Sequence, residues 1–232
     1  MSLNKYVVEF IGTFFLVTTI GSTVIKPGDA GNFAPIAIGA VLMVMIFAGG
    51  YISGGHYNPA VTLAVFLRGK CRGVDAVLYM AAQILGALAA AAVVLFIKGN
   101  PAVQAINPDV PRALLVEFLY AFALCYVVLN VATAKGTNGN SFYGLAIGFT
   151  VMAGAYSVGS VSGGAFNPAV AIGITMMGLS KLANLWVFLV ANFAGGAAAA
   201  GVFRLVNLEE PRESRADKPS SLPAGSYRAQ AR

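Results

Sequence analysis

The sequence predicts an all-α integral membrane protein in which six membrane-spanning helices and two half-length helices form an inverted repeat. Of its 232 residues, 58% are hydrophobic and 10% are charged, whereas soluble domains average about 25% charged residues. Six apolar stretches reach the roughly 20 residues that a helix needs to cross the hydrocarbon core. Two further apolar stretches are about half as long, and the two halves of the chain are similar in sequence.

The expected spans follow one another with short polar connections. They are residues 5–25, 34–52, 74–97, 112–134, 142–160 and 182–205. The half-length stretches are residues 58–67 and 167–178. Because a helix rises 1.5 Å per residue, ten residues cover about 15 Å and reach only the membrane midplane.

One membrane domain, residues 1–206, accounts for all of these stretches, with repeats at about 5–97 and 112–205. The remaining residues, 207–232, are polar and rich in charge. Such a composition cannot bury enough apolar surface to fold, so we expect a disordered cytoplasmic tail.

The basic residues predict the orientation in the membrane. With a cytoplasmic N-terminus, eleven Lys and Arg residues lie inside and four outside, so both termini are expected in the cytoplasm. The inner set is Lys5, Arg68, Lys70, Arg72, Lys135, Arg204, Arg212, Arg215, Lys218, Arg228 and Arg232. The outer set is Lys26, Lys98, Arg112 and Lys181. The net charge of +6 therefore follows from topology, and we expect no nucleic-acid partner.

The two cysteines predict neither a disulfide framework nor a metal site. Cys71 lies among basic residues, and Cys125 lies within an apolar run. The sequence has no nucleophile–base pair and no metal-ligand cluster. We therefore expect no enzyme activity, no cofactor and no metal.

The internal repeat is the most informative feature of the chain. Residues 33–65 and 142–174 align without a gap at an offset of 109. Each half contains three spans and one half-helix, and an odd number of spans turns the second copy upside down. Inverted repeats of this kind place the functional site of a membrane transport protein at the midplane, between the repeats.

Each half-helix opens with the same three residues. Asn is a favoured N-cap, and Pro suits the first helical position because its missing N–H would have no partner there. Both helices should therefore begin at the motif and point their N-termini at the membrane centre. The two motifs are Asn58-Pro59-Ala60 and Asn167-Pro168-Ala169.

The segments before the motifs predict a pore. Non-helical backbone at membrane depth is tolerated only where it is buried or lines a wet cavity. The residues expected to line the pore with backbone carbonyls are Gly54, Gly55, His56, Tyr57, Gly163, Ala165 and Phe166. Each helix N-terminus carries roughly half a positive charge, so two of them at the pore centre oppose cations and protons. If each Asn oxygen caps its own helix, the Asn NH2 groups remain to donate to passing water or solute.

Passive diffusion is the function that these features favour, and an ion-coupled secondary transporter is the alternative. A coupled transporter needs ionisable groups near the midplane, and only His56, Glu9 and Glu117 are available. Each of these has a second interpretation. His56 is either a locally hydrogen-bonded residue or a pH sensor, and the two acids either brace the motif loops or relay protons.

From residue 5 to residue 204 the chain resembles the aquaporin, or major intrinsic protein, family. The resemblance rests on the run Ser53 to Thr62 (SGGHYNPAVT), the second Asn-Pro-Ala motif, and the paired Glu9 and Glu117. It implies a right-handed bundle with one pore per subunit, a homotetramer, and buried acids that brace the motif loops. It also implies a multi-pass protein of the plasma or bacterial inner membrane, whose partners are lipid, water and small neutral solutes.

The chain departs from this family at the pore constriction. The second motif is usually followed by Arg, and here that residue is Val170. The other constriction positions that the resemblance implies are Ile38, Ala155 and Gly164. A filter without the five donors and fixed charge of Arg should be wider and less polar. We therefore expect passage of glycerol, urea or neutral metalloid acids, such as arsenous or boric acid, beside water.

Overall fold

The computed structural model describes residues 3–207, and this part of the chain is built from eight α-helices. They are α1 (Asn4–Val24), α2 (Ala34–Ser53), α3 (Pro59–Arg68), α4 (Gly73–Lys98), α5 (Val110–Thr133), α6 (Tyr143–Ser162), α7 (Pro168–Met176) and α8 (Leu185–Val206). The expected tail lies outside the described residues, apart from Asn207.

Six of the described helices are long and apolar enough to cross a membrane, which confirms the predicted fold class. Their lengths of 20 to 26 residues give helices of about 30–39 Å, enough for the hydrocarbon core. Large apolar side chains stay exposed along them, among them Phe15, Val44, Leu119 and Phe149. An exposed belt of this kind suits a lipid environment rather than water.

The repeats pack against each other through the half-helices. Helix α1 packs along α4, and its repeat counterpart α5 packs along α8. Each half-helix also crosses to the other repeat, because α3 lies against α8 and α7 lies against α4. The short helices are therefore enclosed by long helices from both halves.

Small residues allow the long helices to approach closely, as is usual between membrane helices. A Cβ atom added to Gly86 of α4 would lie 2.5 Å from the carbonyl oxygen of Phe10 in α1. A Cβ atom added to Gly195 of α8 would lie 2.7 Å from the carbonyl oxygen of Phe118 in α5. These two pairs occupy equivalent places in the two repeats.

Successive long helices run in opposite directions, so their ends define two faces of the protein. The terminal face carries the two ends of the described part of the chain, residues 3 and 207, with the loops 69–72 and 134–142, and the far face carries the loops 25–33, 99–109 and 177–184. At the terminal face, Asp75 is buried and accepts from Lys5 Nζ and Tyr6 Oη, each at 2.7 Å. Sequence analysis counted Lys5 for topology only and did not consider Asp75.

Candidate functional site

The two Asn-Pro-Ala motifs meet at the centre of the bundle. Asn58 Oδ1 accepts hydrogen bonds from the backbone N–H groups of Ala60 (2.8 Å) and Val61 (3.4 Å), and so caps α3. Its Nδ2 donates to the carbonyl oxygen of Phe166, 2.9 Å away in the other motif loop. Each half-helix thus begins at its Asn, as its sequence indicates.

The second motif repeats this arrangement. Asn167 Oδ1 accepts from the N–H groups of Ala169 (2.9 Å) and Val170 (3.4 Å) and caps α7. Asn167 Nδ2 donates to the carbonyl oxygen of Tyr57 at 2.9 Å. One N–H of each carboxamide is therefore used between the loops, and only the second N–H is left for a solute. Sequence analysis expected both N–H groups of each carboxamide to remain free for a solute, and the structure refines that expectation to one.

Left-handed backbone shapes both motif loops. The φ angles of Tyr57 and Phe166 are +48° and +49°, a region that costs a non-glycine residue about 1–3 kcal/mol unless its surroundings hold it. Gly55 and Gly164 also have positive φ, at +61° and +65°. The matching angles show that the two loops adopt the same shape in the two repeats.

Glu9 of α1 holds the first loop in this shape. Its Oε1 accepts from Ser53 Oγ (2.7 Å) and the backbone N–H of His56 (3.0 Å), and its Oε2 accepts from the N–H of Tyr57 (2.7 Å) and from Gln83 Nε2 (2.7 Å). Four donors fill the acceptor sites of the carboxylate. The backbone N–H groups of His56 and Tyr57 therefore point towards Glu9 and away from the pore.

Glu117 of α5 does the same for the second loop. Its Oε1 accepts from Ser162 Oγ (2.6 Å) and the N–H of Ala165 (2.9 Å), and its Oε2 accepts from the N–H of Phe166 (2.7 Å) and Asn192 Nδ2 (2.9 Å). Both acids are completely buried. Their environment is that of a loop brace, because a Ser hydroxyl, two backbone N–H groups and a side-chain amide donate to each of them.

The aromatic residue before each Asn packs into the helix bundle. The Tyr57 ring lies against Gly12 and Gly49, at both of which an added Cβ would come within 2.3 Å of the ring or hydroxyl, and its hydroxyl donates to the carbonyl of Met45 at 2.9 Å. Phe166 stacks beside Tyr120 with ring centroids 5.2 Å apart. These side chains anchor the loops and leave the backbone to face the centre.

His56 belongs to a polar network that only the first repeat contains. One ring nitrogen, Nδ1, lies 3.1 Å from Thr62 Oγ1, and Gln83 Nε2 donates to the same hydroxyl at 3.0 Å. The equivalent positions in the second repeat are Ala165 and Ala171. His56 is thus a locally hydrogen-bonded residue, and the two halves of the site differ in polarity.

A cavity of about 620 Å³ extends from the motifs to the far face. It is bordered by Asn58 and Asn167, by all four positions implied for the constriction, and by most of the two loops. The constriction residues on its wall are Ile38, Ala155, Gly164 and Val170. The loop residues on its wall are Gly55, His56, Tyr57, Gly163 and Ala165. Gly54 and Phe166, which were expected there too, are not among the residues that border the cavity: Gly54 caps α2, and the Phe166 carbonyl accepts from Asn58 Nδ2.

The family model described as "Major intrinsic protein" matches residues 2–203. The chain belongs to the major intrinsic protein family. This is a family of passive channels for water and small neutral solutes, and the chain is a channel of that class. The match covers both repeats and all eight helices except the last residues of α8.

Named relatives of this major intrinsic protein come from plants and bacteria. It is 37% identical to "Aquaporin NIP1-4" of Oryza sativa subsp. japonica, over 90% of this chain and 79% of that protein. It is 38% identical to "Glycerol uptake facilitator protein-like 6" of Lactiplantibacillus plantarum, over 90% of this chain and 100% of that protein. The solved structure of the aquaglyceroporin from Plasmodium falciparum has the same fold, with a TM-score of 0.74, 22% identity, and coverage of 89% and 99% of the two chains.

The cavity of this major intrinsic protein carries no charge on its wall. None of the described residues that border it is Asp, Glu, Lys or Arg. Val170 itself is buried, and Glu9 and Glu117, which brace the motif loops, are enclosed by their donors. A solute in the cavity therefore meets apolar side chains, backbone groups, the Asn58 and Asn167 carboxamides, His56 and, at the far face, Gln104 and Asn107.

Sequence analysis missed the apolar wall residues of the long helices, such as Leu16, Leu124 and Val151, and it also missed a partly polar stretch. Residues Gln104, Ala105, Ile106 and Asn107 border the cavity at the far face. They belong to the connection between the repeats, so they have no counterpart in the other half and no motif marks them. Their polar side chains were the only available signal.

Proposed function

We propose that this channel passes uncharged solutes larger than water through a wide, apolar filter formed by Ile38, Ala155, Gly164 and Val170. The observation that carries the proposal is the composition of the cavity wall, where all four of these side chains are aliphatic or absent and no charged residue is present among the described ones. Val170 in place of the family's usual Arg leaves a wider and less polar opening, without five donors and a fixed charge.

Polar groups along the cavity replace part of the solute's hydration shell. The loop residues 55–57 and 163–165 border the cavity and offer backbone carbonyls as acceptors, and Asn58 and Asn167 each keep one N–H as a donor. A neutral solute with hydroxyl or amide groups can exchange water for these partners at little net cost. An ion cannot, because the solvation free energy of a full charge is far larger.

The exclusion of ions and protons rests on the paired half-helices. Each Asn caps a helix whose N-terminal dipole is equivalent to roughly half a positive charge directed at the cavity. Two such ends face each other across the motifs. Both Asn oxygens are occupied by the helix ends, so the carboxamides act on a passing molecule as donors, which interrupts a chain of hydrogen-bonded water.

Glycerol, urea, and neutral metalloid acids such as arsenous and boric acid are the solutes that this filter suits. The name of the Lactiplantibacillus relative, a glycerol uptake facilitator protein-like protein, supports the first of them. The functional unit is a homotetramer with one pore per chain. It lies in the plasma or bacterial inner membrane with both termini in the cytoplasm, as the excess of basic residues at the terminal face supports.

The test is a stopped-flow permeability panel on proteoliposomes, with water, glycerol, urea, boric acid and arsenite as solutes. Wild type should pass the larger solutes well above empty liposomes, and Val170→Arg should reduce their uptake by about tenfold or more while water passes. Val170→Leu controls for size without charge and should retain most of the uptake. If wild-type and empty liposomes take up all the larger solutes equally, the wide-filter proposal is wrong.

A further inference from the structure

Helix α4 presents three buried polar side chains along one face, at intervals of about one helical turn. They are Asp75, Tyr79 and Gln83, and each is at most 1% exposed. Gln83 donates to Glu9, and Asp75 lies at the terminal face. Tyr79 lies between them, behind the cavity wall. We propose that Tyr79 is a positioning residue of the pore, which fixes the first motif loop and the His56 ring. The inference rests on the proposed function and extends it to a residue that no solute contacts.

The hydroxyl of Tyr79 holds the point at which the chain leaves α2. It donates to the carbonyl oxygen of Ser53, the last residue of α2, at 2.7 Å. A carbonyl at a helix C-terminus has no partner within the helix, so this bond satisfies a buried group. Ser53 Oγ also donates to Glu9 and accepts from the N–H of Gly55. The first loop is therefore braced from α1 through Glu9 and from α4 through Tyr79.

The ring of Tyr79 packs against His56, which stands on the cavity wall. The two rings meet edge-on, with centroids 5.1 Å apart and an interplanar angle of 67°. On the motif side, His56 Nδ1 lies 3.1 Å from Thr62 Oγ1. His56 borders the cavity and is 6% exposed, so these two contacts determine which part of its imidazole a solute meets. A displacement of Tyr79 therefore changes a polar group of the pore.

A chain of contacts continues from Tyr79 to the terminal face. The rings of Tyr6 and Tyr79 pack edge-on with centroids 5.8 Å apart, and Tyr6 Oη donates to Asp75 Oδ1 at 2.7 Å. Asp75 also pairs with Lys5 Nζ at 2.7 Å. Removing one partner of a buried ion pair is strongly destabilising, so this pair fixes Tyr6. Tyr6 in turn limits where the Tyr79 ring can lie.

The second repeat has no equivalent brace. At the offset of 109 residues, Phe188 takes the place of Tyr79, and Ala165 takes the place of His56. Phe188 is buried but has no hydroxyl to donate to the end of the preceding helix. The polar brace from behind the loop is thus a property of the first half of the pore alone.

The first experiment measures the permeability of Tyr79→Phe in proteoliposomes of the full chain. Phe keeps the ring and removes only the hydroxyl bond. We expect glycerol and urea uptake to fall by about twofold to tenfold, the effect of losing one hydrogen bond, because a solute that fills the pore is sensitive to a displaced loop. Water is smaller, and its permeability should change by less than twofold.

Tyr126→Phe is the matched control, because it removes one hydroxyl from another helix. The Tyr126 ring stacks on Phe122, its hydroxyl makes no hydrogen bond to residues 3–207, and it does not border the cavity. Water, glycerol and urea permeability should all equal those of wild type in this variant.

The second experiment uses His56 as a spectroscopic reporter, because it is the only histidine of the chain. Its imidazole ¹⁵N signals are recorded for tag-free protein in lipid nanodiscs. Tyr6→Phe removes the bond to Asp75 at a ring that packs on Tyr79, and it should shift the His56 signals. In a Tyr79→Leu background the same change should shift them no further, as in a double-mutant cycle.

The outcomes separate this inference from the proposed function. Unshifted His56 signals in Tyr6→Phe, or equal glycerol uptake by Tyr79→Phe and wild type, overturn the role of Tyr79. An equal fall in water and solute uptake also overturns it, because a purely structural defect would act on both. Failure of wild type to pass any larger solute overturns the proposed function instead, and the His56 signals then still test Tyr79.

Discussion

The carboxamide Nδ2 of Asn58 donates to the carbonyl oxygen of Phe166 across the centre of the protein, at 2.9 Å. Asn167 Nδ2 makes the reciprocal bond to Tyr57 at the same distance. Each Asn thus caps its own half-helix and fixes the backbone of the opposite loop. The registration of the two repeats at the pore depends on these two side chains, so small changes in either should affect both fold and selectivity.

Replacement of Asn58 by Asp tests this double role. Asp keeps an oxygen to cap α3, but it replaces the Nδ2 donor with an oxygen that faces the Phe166 carbonyl. The lost bond and the unmatched carbonyl should lower stability by about 1–3 kcal/mol. The added negative charge should raise proton or cation flux by about tenfold or more, because a unit charge interacts by several kcal/mol at this range. Thermal denaturation in detergent and pH-dye flux in liposomes measure the two effects.

Asn167→Asp is the matched variant for this prediction. The two Asn residues make equivalent bonds, so the two variants should behave alike in stability and in ion leak. A large difference between them would show that the repeats contribute unequally to exclusion of charge. An unchanged ion flux in both variants contradicts the assignment of the motifs as the charge barrier.

Glu117→Gln should destabilise the second motif loop. The carboxylate accepts from four donors, and a carboxamide of the same shape turns an NH2 group towards at least one of them. A buried donor left without an acceptor costs about 1–3 kcal/mol. The melting temperature in detergent should fall clearly, whereas Asp29→Asn in an exposed far-face loop should leave it unchanged. An unaltered melting temperature in Glu117→Gln would rule out the bracing role.

Tyr57→Phe should leave permeability unchanged and reduce stability slightly. The ring is packed against Gly12 and Gly49, and only its hydroxyl bond to the Met45 carbonyl is lost. That bond is expected to contribute about 0.5–1.5 kcal/mol. The measurement is the water and glycerol permeability of the variant relative to wild type. A change of more than about twofold would show that Tyr57 acts in the pore as well as in the core.

The sequence predicted the helices closely because two local signals coincide with the repeat. Apolar length located the six spans to within a few residues, and the Asn-Pro pairs located the start of α3 and α7. Both signals act within one segment of chain: burial in lipid requires a minimum length, and capping depends on neighbouring residues.

The contacts that sequence analysis could not predict join distant segments. The bond from Asn58 to Phe166 connects residues 108 apart, and no local preference encodes it. The stretch from Gln104 to Asn107, which borders the cavity, lies between the repeats, so the alignment of the halves says nothing about it. The burial of Asp75 beside Lys5 and Tyr6 likewise depends on how α4 packs along α1, which the charge count does not address.

Two glycines of α8 provide a final test, because they differ in surroundings but share a helix. Replacing Gly by Ala in a helix removes a cost of about 0.5–1 kcal/mol, so Gly201→Ala, with nothing within 4 Å of the new Cβ, should be neutral or slightly stabilising.

At Gly195 the new Cβ would lie 2.7 Å from the Phe118 carbonyl and 2.8 Å from the Phe122 nitrogen. These are backbone atoms of α5 and cannot swing aside, so Gly195→Ala must separate two helices whose contact positions Glu117. We expect it to lose about 1–3 kcal/mol by overpacking, and to lose solute permeability as the second loop shifts. Melting temperature and glycerol uptake should therefore fall together in Gly195→Ala and stay at the wild-type level in Gly201→Ala, and equal behaviour of the two variants contradicts the close packing of α5 on α8.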